Sequence, residues 1–332
     1  MESNNPEEPD MIRKVLIAIS IAAAIYSPAQ AADTLNFGII STDSSSNLKK
    51  IWVPLLKDME KQTGYKVKPF FASDYAGVIE GMRFKKVDIA WFGNKSAMEA
   101  VDRAGGEVFA QNIGAGGAPG YWSHIIVHKD SPAKKLDDVL KCDKSLNFGI
   151  GDPNSTSGFL VPTTFIFAAR NIEPVKCFKT VRGANHAANA LAVANKLVDA
   201  ATNNNESLAR LKVNNPKAYE KIRVIWKSPL IPSDPLVWRK DLASGVKAKI
   251  SAFLYGYGKT PEEKKVLAGL KLDKFTKSSN NQLLPIRQMS VNKEIMKIKA
   301  DKKLSDADRA AKLDALQKKA VAIAKLLASV TN

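Results

Sequence analysis

Short apolar segments that suit β-strands alternate with amphipathic segments of helical period along most of the 332-residue chain. The predicted strands of a first series are residues 35–40, 65–71 and 87–91. The predicted strands of a second series are residues 121–128, 146–150, 178–181 and 198–202. Strand–helix alternation of this kind predicts an α/β fold with parallel sheets covered by helices on both faces.

The chain length predicts two such units. About 300 residues follow the N-terminal segment, enough for two lobes that each have a core. No low-complexity linker separates them, so we expect the chain to cross between the lobes on extended segments. The two candidate crossings lie near Tyr121-Trp122 and near Asp234-Pro235.

The first 31 residues have the pattern of a secretory signal peptide. Arg13 and Lys14 follow Met11, residues 15–26 are almost wholly apolar, and the small residues Ala29 and Ala31 mark a cleavage site. We expect cleavage after Ala31 and a start of translation at Met11 rather than Met1. The sequence therefore predicts an exported protein.

The charge is strongly basic, with 50 Lys and Arg against 33 Asp and Glu and a formal net charge of +17. Export argues against a nucleic-acid partner. Attraction to anionic ligands or lipid headgroups fits a basic exported protein better. A solvated surface without a specific partner would have the same composition, because many of the lysines lie in the last 80 residues.

The two cysteines, Cys142 and Cys177, each lie just before a predicted strand. An oxidising compartment permits a disulfide between them if those strands are neighbours, and free thiols are the alternative. Two cysteines without clustered histidines do not predict a metal site. The chain also lacks a Gly-x-Ser-x-Gly motif, so we expect no catalytic residues and no cofactor.

The strongest local motif is residues 151–158, Gly-Asp-Pro-Asn-Ser-Thr-Ser-Gly, which stands between a predicted strand and a predicted helix over residues 155–171. Asn154 or Ser155 suits the N-cap position. Hydroxyl side chains at the positive end of a helix favour an anion, and they suit phosphonate or phosphate oxygens. A capped helix with no ligand is the alternative, and the spacing alone does not separate the two.

Two further polar segments follow predicted strands. Residues 202–206 contain three asparagines and Glu206, and the proline-rich segment 229–235 contains the carboxylate of Asp234. Each is also typical of an ordinary surface turn. The ends of strands are nevertheless where open α/β sheets bind ligands.

At this point the sequence resembles the periplasmic phosphonate-binding proteins of phosphonate ABC importers. The similarity covers most of the chain after the signal peptide and consists of blocks in the same order. These blocks are residues 35–42, 74–77, 81–84, 87–91, 96–103, 120–123, 151–162, 201–204 and 226–239.

The resemblance implies a two-lobed type II periplasmic binding-protein fold with the ligand in the cleft between the lobes. The implied division is a first lobe of residues 32–121, a second lobe of residues 122–234, and a return to the first lobe with a C-terminal helical tail over residues 235–332. The implied function is capture of phosphonates such as 2-aminoethylphosphonate in the periplasm for the membrane permease. The family's C-terminal region also implies a possible homodimer through the C-terminal helices.

The resemblance also implies roles for individual residues. The residues implied to bind the phosphonate group are Ser155, Thr156, Ser157, Tyr75, Tyr121 and His186. The residues implied to hold the amino group of the ligand are Glu206 and Asp234.

Two alternatives belong to other classes of protein. A periplasmic binder of phosphate, phosphite or a phosphate ester would share the anion site but would not need the two carboxylates. An enzyme acting on phosphorus compounds would need a nucleophile or a metal cluster, and the sequence has neither pattern.

Overall fold

The structure is a computed structural model of the chain and describes residues 1–2 and 34–331. The predicted signal peptide therefore lies outside the described residues, apart from its first two. Within the described part, no helix combines the length and the apolar character needed to cross a membrane.

Thirteen strands are present in the described residues. They are β1 (Thr34–Ile39), β2 (Lys66–Phe71), β3 (Ile89–Trp91), β4 (Gly106–Gly114), β5 (Gly120–Tyr121), β6 (Ser123–His128), β7 (Asn147–Ile150), β8 (Thr180–Gly183), β9 (Ala200–Asn204), β10 (Ile222–Lys227), β11 (Ile231–Pro232), β12 (Pro235–Arg239) and β13 (Leu272–Lys277).

Twelve α-helices lie between residues 34 and 331. They are α1 (Ser45–Thr63), α2 (Tyr75–Arg83), α3 (Asn94–Arg103), α4 (Leu136–Val139), α5 (Pro174–Cys177), α6 (His186–Ala194), α7 (Asn205–Asn214), α8 (Pro216–Tyr219), α9 (Ser244–Gly256), α10 (Pro261–Leu270), α11 (Leu284–Ala300) and α12 (Asp306–Thr331). The predicted helix over 155–171 is also present, as π-helical turns at Thr156–Leu160 and Thr163–Phe167 followed by a 3₁₀ turn at Ala168–Arg170.

The strands form two main sheets, which we name sheet I and sheet II. Sheet I has the order β13-β4-β12-β3-β1-β2, and sheet II has the order β10-β6-β9-β7-β8. The chain leaves sheet I after β4, builds sheet II from β6 to β10, and returns to sheet I with β12. On these two passages β5 and β11 pair with each other as a short antiparallel ribbon.

The prediction of parallel sheets is wrong for part of each sheet. In sheet I, β1 pairs in parallel with β2 and β3, but β12 is antiparallel to both β3 and β4. In sheet II, β7 is parallel to β8 and β9, but β6 is antiparallel to β9 and β10. The antiparallel pairs occur next to the two passages, where the chain enters or leaves a sheet without an intervening crossover helix.

The predicted strand 121–128 is divided in the structure. Tyr121 belongs to the β5–β11 ribbon, whereas β6 begins at Ser123 in sheet II. Residues of β6 then alternate between the faces of the sheet, as a pleated strand requires. Ile125 faces a core that contains Phe148, and Ile126 faces a core that contains Val193.

Each sheet has its own buried apolar core. The core of sheet I includes Phe37 and Trp52, whose ring centroids are 5.6 Å apart. The core on one face of sheet II includes Phe148 and Phe178, which stack with centroids 4.5 Å apart. Full burial of an aromatic side chain of this size contributes about 1.5–3 kcal/mol, so these aromatic clusters help to stabilise both sheets.

The two cysteines form a disulfide in the structure. Because β7 and β8 are parallel neighbours, the segments that precede them start from the same edge of sheet II. Cys177 is buried in the aromatic core of that sheet. The disulfide alternative is therefore confirmed, and its position follows from the pairing of the two strands.

The last two helices pack on each other around Leu284, Val291 and Ile323. The final helix runs from Asp306 to Thr331 and lies in the C-terminal tail that was predicted to be helical. The predicted homodimer through these helices stays a prediction.

Candidate functional site

The motif at residues 151–158 forms a tight turn that ends in the N-cap of a helix. The Ser155 backbone N–H donates to the Asp152 carbonyl over 2.8 Å, and the Asn154 N–H donates to Asp152 Oδ1 over 2.7 Å. Ser155 is the N-cap residue, and its Oγ accepts a hydrogen bond of 2.9 Å from the Gly158 N–H. The predicted cap is therefore Ser155 rather than Asn154.

The two glycines of the motif allow a close approach of backbone to backbone. Gly151 donates its N–H to the Gly158 carbonyl over 2.9 Å. A Cβ on Gly151 would lie 2.5 Å from the Gly158 Cα, and a Cβ on Gly158 would lie 2.8 Å from Ser155 Oγ. Any larger residue at either position would displace the cap.

The helix that follows begins with wide, π-helical turns. The Leu160 N–H donates to the Ser155 carbonyl over 3.1 Å, which spans five residues instead of four. π-Helical turns are rare and occur often at functional sites. The hydroxyls of Ser155, Thr156 and Ser157 lie at the positive end of this helix, where the helix dipole favours an anion.

His186, at the start of α6, lies against these hydroxyls. Its Nε2 is 3.3 Å from Ser155 Oγ, 3.4 Å from Ser157 Oγ and 3.3 Å from the side-chain nitrogen of Asn204. Burial, with a smaller contribution from the nearby Arg210, lowers the pKa of His186 to about 3. The imidazole is therefore neutral at physiological pH, and Nε2 accepts the Asn204 N–H because that amide nitrogen only donates.

Two buried tyrosines complete this side of the site. Tyr75 is the first residue of α2, and Tyr121 lies in the β5–β11 ribbon. Burial first, and then nearby carboxylates, raise the pKa of both phenols. Both hydroxyls therefore stay protonated at neutral pH and can donate hydrogen bonds.

Two carboxylates face each other across the site. Glu206 lies in the first turn of α7, and Asp234 immediately precedes β12. Burial raises the pKa of both carboxyls, and Glu206 raises that of Asp234 further. Two such groups repel each other, which favours a cation between them.

Asp234 is not fully satisfied by its protein neighbours. Weak hydrogen bonding from Tyr121 and Trp91 partly offsets the raised pKa of Asp234. However, neither Asp234 Oδ1 nor Trp91 Nε1 has a partner among the described residues that meets the distance and angle of a hydrogen bond. Buried polar atoms in native proteins usually have partners, so these two atoms indicate a binding surface.

All eight residues predicted for the site line one cavity between sheet I and sheet II. The void, including its opening to solvent, is about 260 Å³. The eight residues are Tyr75, Tyr121, Ser155, Thr156, Ser157, His186, Glu206 and Asp234. The structure therefore brings the predicted residues together, while the role of each residue stays a prediction.

Arg210 also lines this cavity and was not among the residues predicted for the site. Arg210 lies four residues after Glu206 on α7 and lines the same void. Helix neighbours at that spacing share a face, so the spacing was an available signal. Asn204, in the polar segment 202–206, also lines the cavity and was not predicted to have a role.

Three backbone N–H groups cross the cleft between the two sheets. The donors belong to the first turns of α2, α3 and α6, where helix N–H groups have no partner inside the helix. The Tyr75 N–H donates to Asp152 Oδ2 over 3.1 Å, and the Lys95 N–H donates to Thr156 Oγ1 over 2.8 Å. The Ala187 N–H donates to the Thr42 carbonyl over 3.3 Å.

The chemistry of the site is that of recognition. The hydroxyls at the helix end suit an anion and the paired carboxylates suit a cation, and we name these two parts the predicted anion-binding half and the predicted cation-binding half. No group of three or more His, Cys, Asp or Glu side chains among residues 34–331 has the arrangement of a metal site.

The chain is similar to periplasmic binding proteins of ABC transporters. The sequence profile of the family described as "ABC transporter, phosphonate, periplasmic substrate-binding protein" matches residues 37–283. The chain is 56% identical over 298 residues to the phosphonates-binding periplasmic protein of Escherichia coli strain K12, covering 89% of this chain and 88% of that protein. It is 32% identical over 210 residues to the phosphate-import protein PhnD of Mycolicibacterium smegmatis, covering 60% of this chain and 64% of that protein.

A solved structure agrees with the fold as well. The structure superposes on the binding protein component of an ABC phosphonate transporter from Pseudomonas aeruginosa with a TM-score of 0.89 and 55% sequence identity. The match covers 90% of this chain and 99% of that chain. This family consists of two-lobed binding proteins for transport rather than enzymes. The chain belongs to the family of periplasmic substrate-binding proteins of phosphonate ABC transporters.

Proposed function

We propose that this protein captures 2-aminoethylphosphonate in the periplasm and delivers it to the permease of an ABC importer. The observation that carries the proposal is the combination of an anion site and a carboxylate pair in a single cavity. The ligand has an anionic phosphonate and a cationic ammonium two carbons apart. A pocket with one end that favours an anion and another end that favours a cation matches such a ligand.

In this proposal the phosphonate oxygens bind the hydroxyls of Ser155, Thr156 and Ser157 at the helix N-terminus. The Tyr75 and Tyr121 phenols, which stay protonated, donate further hydrogen bonds. The neutral His186 orients the serine hydroxyls and does not need to supply a positive charge, because the helix dipole already favours the anion.

The ammonium group binds between Glu206 and Asp234. Burial of two carboxylates is costly unless a cation pairs with them. The raised pKa of both carboxyls reflects this cost in the free protein. A phosphonate without an amine leaves the cost in place, so we expect the pocket to prefer aminophosphonates.

The cleft provides a means of signalling that the ligand is bound. We propose that sheet I is the centre of the lobe formed by residues 32–121 and 235–332, and sheet II the centre of the lobe formed by residues 122–234. The ligand contacts both lobes and shifts the population towards the closed form. The permease then recognises the closed form, and the predicted signal peptide at residues 1–31 directs export.

Isothermal titration calorimetry tests the proposed ligand. We expect 2-aminoethylphosphonate to bind at micromolar concentration or below, and ethylphosphonate, which lacks only the amine, to bind at least tenfold more weakly, a difference of about 1.4 kcal/mol. Equal affinity for the two ligands would contradict the role of the carboxylates. Absence of any heat with 2-aminoethylphosphonate would contradict the function.

Inorganic phosphate is the alternative ligand, because the relative from Mycolicibacterium smegmatis is named for phosphate import. A phosphate site needs the hydroxyl cradle but not the carboxylate pair. Replacement of Glu206 by Gln together with Asp234 by Asn would then leave phosphate affinity unchanged or increased. Our proposal predicts a selective loss for aminophosphonates in the same double variant.

We also propose that the protein forms a homodimer through α11 and α12. The last helix carries exposed apolar side chains at Val321, Leu326 and Val330. Light scattering with size-exclusion chromatography measures the oligomeric state. A dimer that becomes a monomer when these three residues are replaced by serine supports the proposal, and a monomeric unmodified protein contradicts it.

A further inference from the structure

Arg210 has an unusual position for a charged residue on a helix of this protein. It lines the cavity described above, together with Glu206 one helical turn earlier. Its positive charge lowers the pKa of Glu206 and Asp234 against the larger effect of burial. Arg210 therefore lies close to the predicted cation-binding half of the pocket.

A second cavity adjoins the first at this point. It has a volume of about 330 Å³ including its opening to solvent. Its lining residues are Leu48, Ile51, Trp52, Trp91, Asn112, Glu206, Arg210, Leu270 and Leu272. Trp91, Glu206 and Arg210 line both cavities, so the two voids meet at these three side chains.

The polar groups around this junction are not used within the protein. No hydrogen bond or ion pair involves the Arg210 guanidinium among the residues that the structure describes. Trp91 Nε1 and Asn112 Oδ1 are buried atoms that also have no partner there. Their residues are only 5% and 6% exposed, so water does not readily replace the missing partners.

The free groups match one kind of chemical substituent. A guanidinium with unused N–H groups in a fork binds a carboxylate through two parallel hydrogen bonds. Glu206, next to Arg210 on the helix, is one of the two carboxylates assigned to the ammonium. A ligand that carries an ammonium and a carboxylate on the same carbon would therefore meet Glu206 and Arg210 at once.

We propose that the junction of the two cavities is a subsite for a carboxylate, bound by Arg210, and that the protein takes up phosphonates with an α-amino acid end. The member of this class that keeps the spacing between amine and phosphonate is 2-amino-3-phosphonopropionate, which is 2-aminoethylphosphonate with one carboxylate added to the amine-bearing carbon. The proposal rests on the proposed function, because the phosphonate and ammonium groups keep the contacts assigned there.

Charge pairing explains why the subsite discriminates. With 2-aminoethylphosphonate, the ammonium pairs with two carboxylates and the Arg210 cation stays unpaired beside it. With the amino acid phosphonate, the ligand carboxylate pairs with Arg210 while the ammonium keeps its contacts with Glu206 and Asp234. Loss of the guanidinium therefore weakens the ligand that has the carboxylate more than it weakens 2-aminoethylphosphonate.

Isothermal titration calorimetry of the full chain with both ligands tests the proposal. The variant is Arg210→Gln, and Arg182→Gln is the matched control, because Arg182 is exposed on β8 and lines neither cavity. We expect Arg210→Gln to bind 2-amino-3-phosphonopropionate about 10- to 100-fold more weakly, the range for loss of hydrogen bonds to a charged group. Its affinity for 2-aminoethylphosphonate should fall much less, because Arg210 acts on that ligand only by lowering the pKa of Glu206 and Asp234, and Arg182→Gln should change neither affinity.

Three results would overturn the proposal. The first is that the unmodified protein binds 2-aminoethylphosphonate but not the amino acid phosphonate. The second is that Arg210→Gln lowers the affinity for both ligands equally, and the third is that it lowers the affinity for neither. Binding of neither ligand by the unmodified protein would refute the proposed function as well, so the two failures are distinguishable. A melting temperature equal to that of the unmodified protein establishes that Arg210→Gln is folded.

Discussion

Replacement of Asp234 by Asn tests the predicted cation-binding half of the pocket most directly. Asn has the same shape as Asp but no negative charge. Asp234 is 6% exposed, and its Oδ1 has no partner among the described residues. In the proposed complex this carboxylate is one of two that pair with the ligand's ammonium.

The structure gives the size of the expected effect. Removal of one partner of a buried charge pair costs about 3–5 kcal/mol. At about 1.4 kcal/mol for each tenfold change, the affinity for 2-aminoethylphosphonate should fall roughly 100- to 3,000-fold. Ethylphosphonate makes no contact with the carboxylates through an amine, so its affinity should change by less than about threefold.

The free protein should respond in the opposite direction. Burial and the charge of Glu206 raise the pKa of Asp234, so the folded state disfavours its ionised form. The neutral Asn removes that cost at neutral pH, and the free energy of unfolding should rise. The measurements are calorimetric titration with both phosphonates and thermal unfolding without ligand. An equal loss of affinity for both phosphonates, or no loss for the aminophosphonate, would refute the reasoning.

Three further predictions concern pH, the anion cradle and the disulfide. The pKa of both pocket carboxyls is raised, so acidification should protonate them at a higher pH than exposed carboxylates and weaken binding of 2-aminoethylphosphonate. Calorimetric titrations between about pH 8 and pH 5 measure this loss. Ethylphosphonate should show no matching loss. Gly158→Ala should abolish binding of every phosphonate, because the added Cβ would lie 2.8 Å from Ser155 Oγ, whereas Gly183→Ala, with nothing within 4 Å of its Cβ, should bind normally. Replacement of Cys142 and Cys177 by serine should lower the free energy of unfolding by about 4 kcal/mol, the loop-entropy value for a separation of 35 residues. Denaturant unfolding measures this loss, and the ligand affinity of the folded variant should be unchanged.

The anion cradle could be predicted from the sequence because its determinants are local. A strand, a glycine-flanked turn and a capped helix follow one another within residues 147–170, and each is encoded by neighbouring residues. Ser155 occupies the cap position that its side chain favours. The close approach of Gly151 to Gly158 also lies within this segment.

The antiparallel strands could not be predicted in the same way. The direction of β12 in sheet I depends on pairing with β3 and β4, which lie more than 100 residues earlier in the chain. Strand–helix alternation does not encode the direction in which a returning strand enters a sheet. The position of Arg210 was missed for a related reason. Most arginines on amphipathic helices face solvent, and only the cavities that Arg210 lines together with residues of sheet I show otherwise.

The three hydrogen bonds across the cleft have a consequence for measurement. The amide hydrogens of Tyr75, Lys95 and Ala187 are each bonded to an acceptor on the opposite side. Opening of the cleft breaks these bonds while the helices that carry the amides stay folded. The exchange of these hydrogens with solvent deuterium therefore counts opening events at three separate points along the cleft. A ligand that holds both sides together slows all three rates, and one that binds to a single side leaves them unchanged.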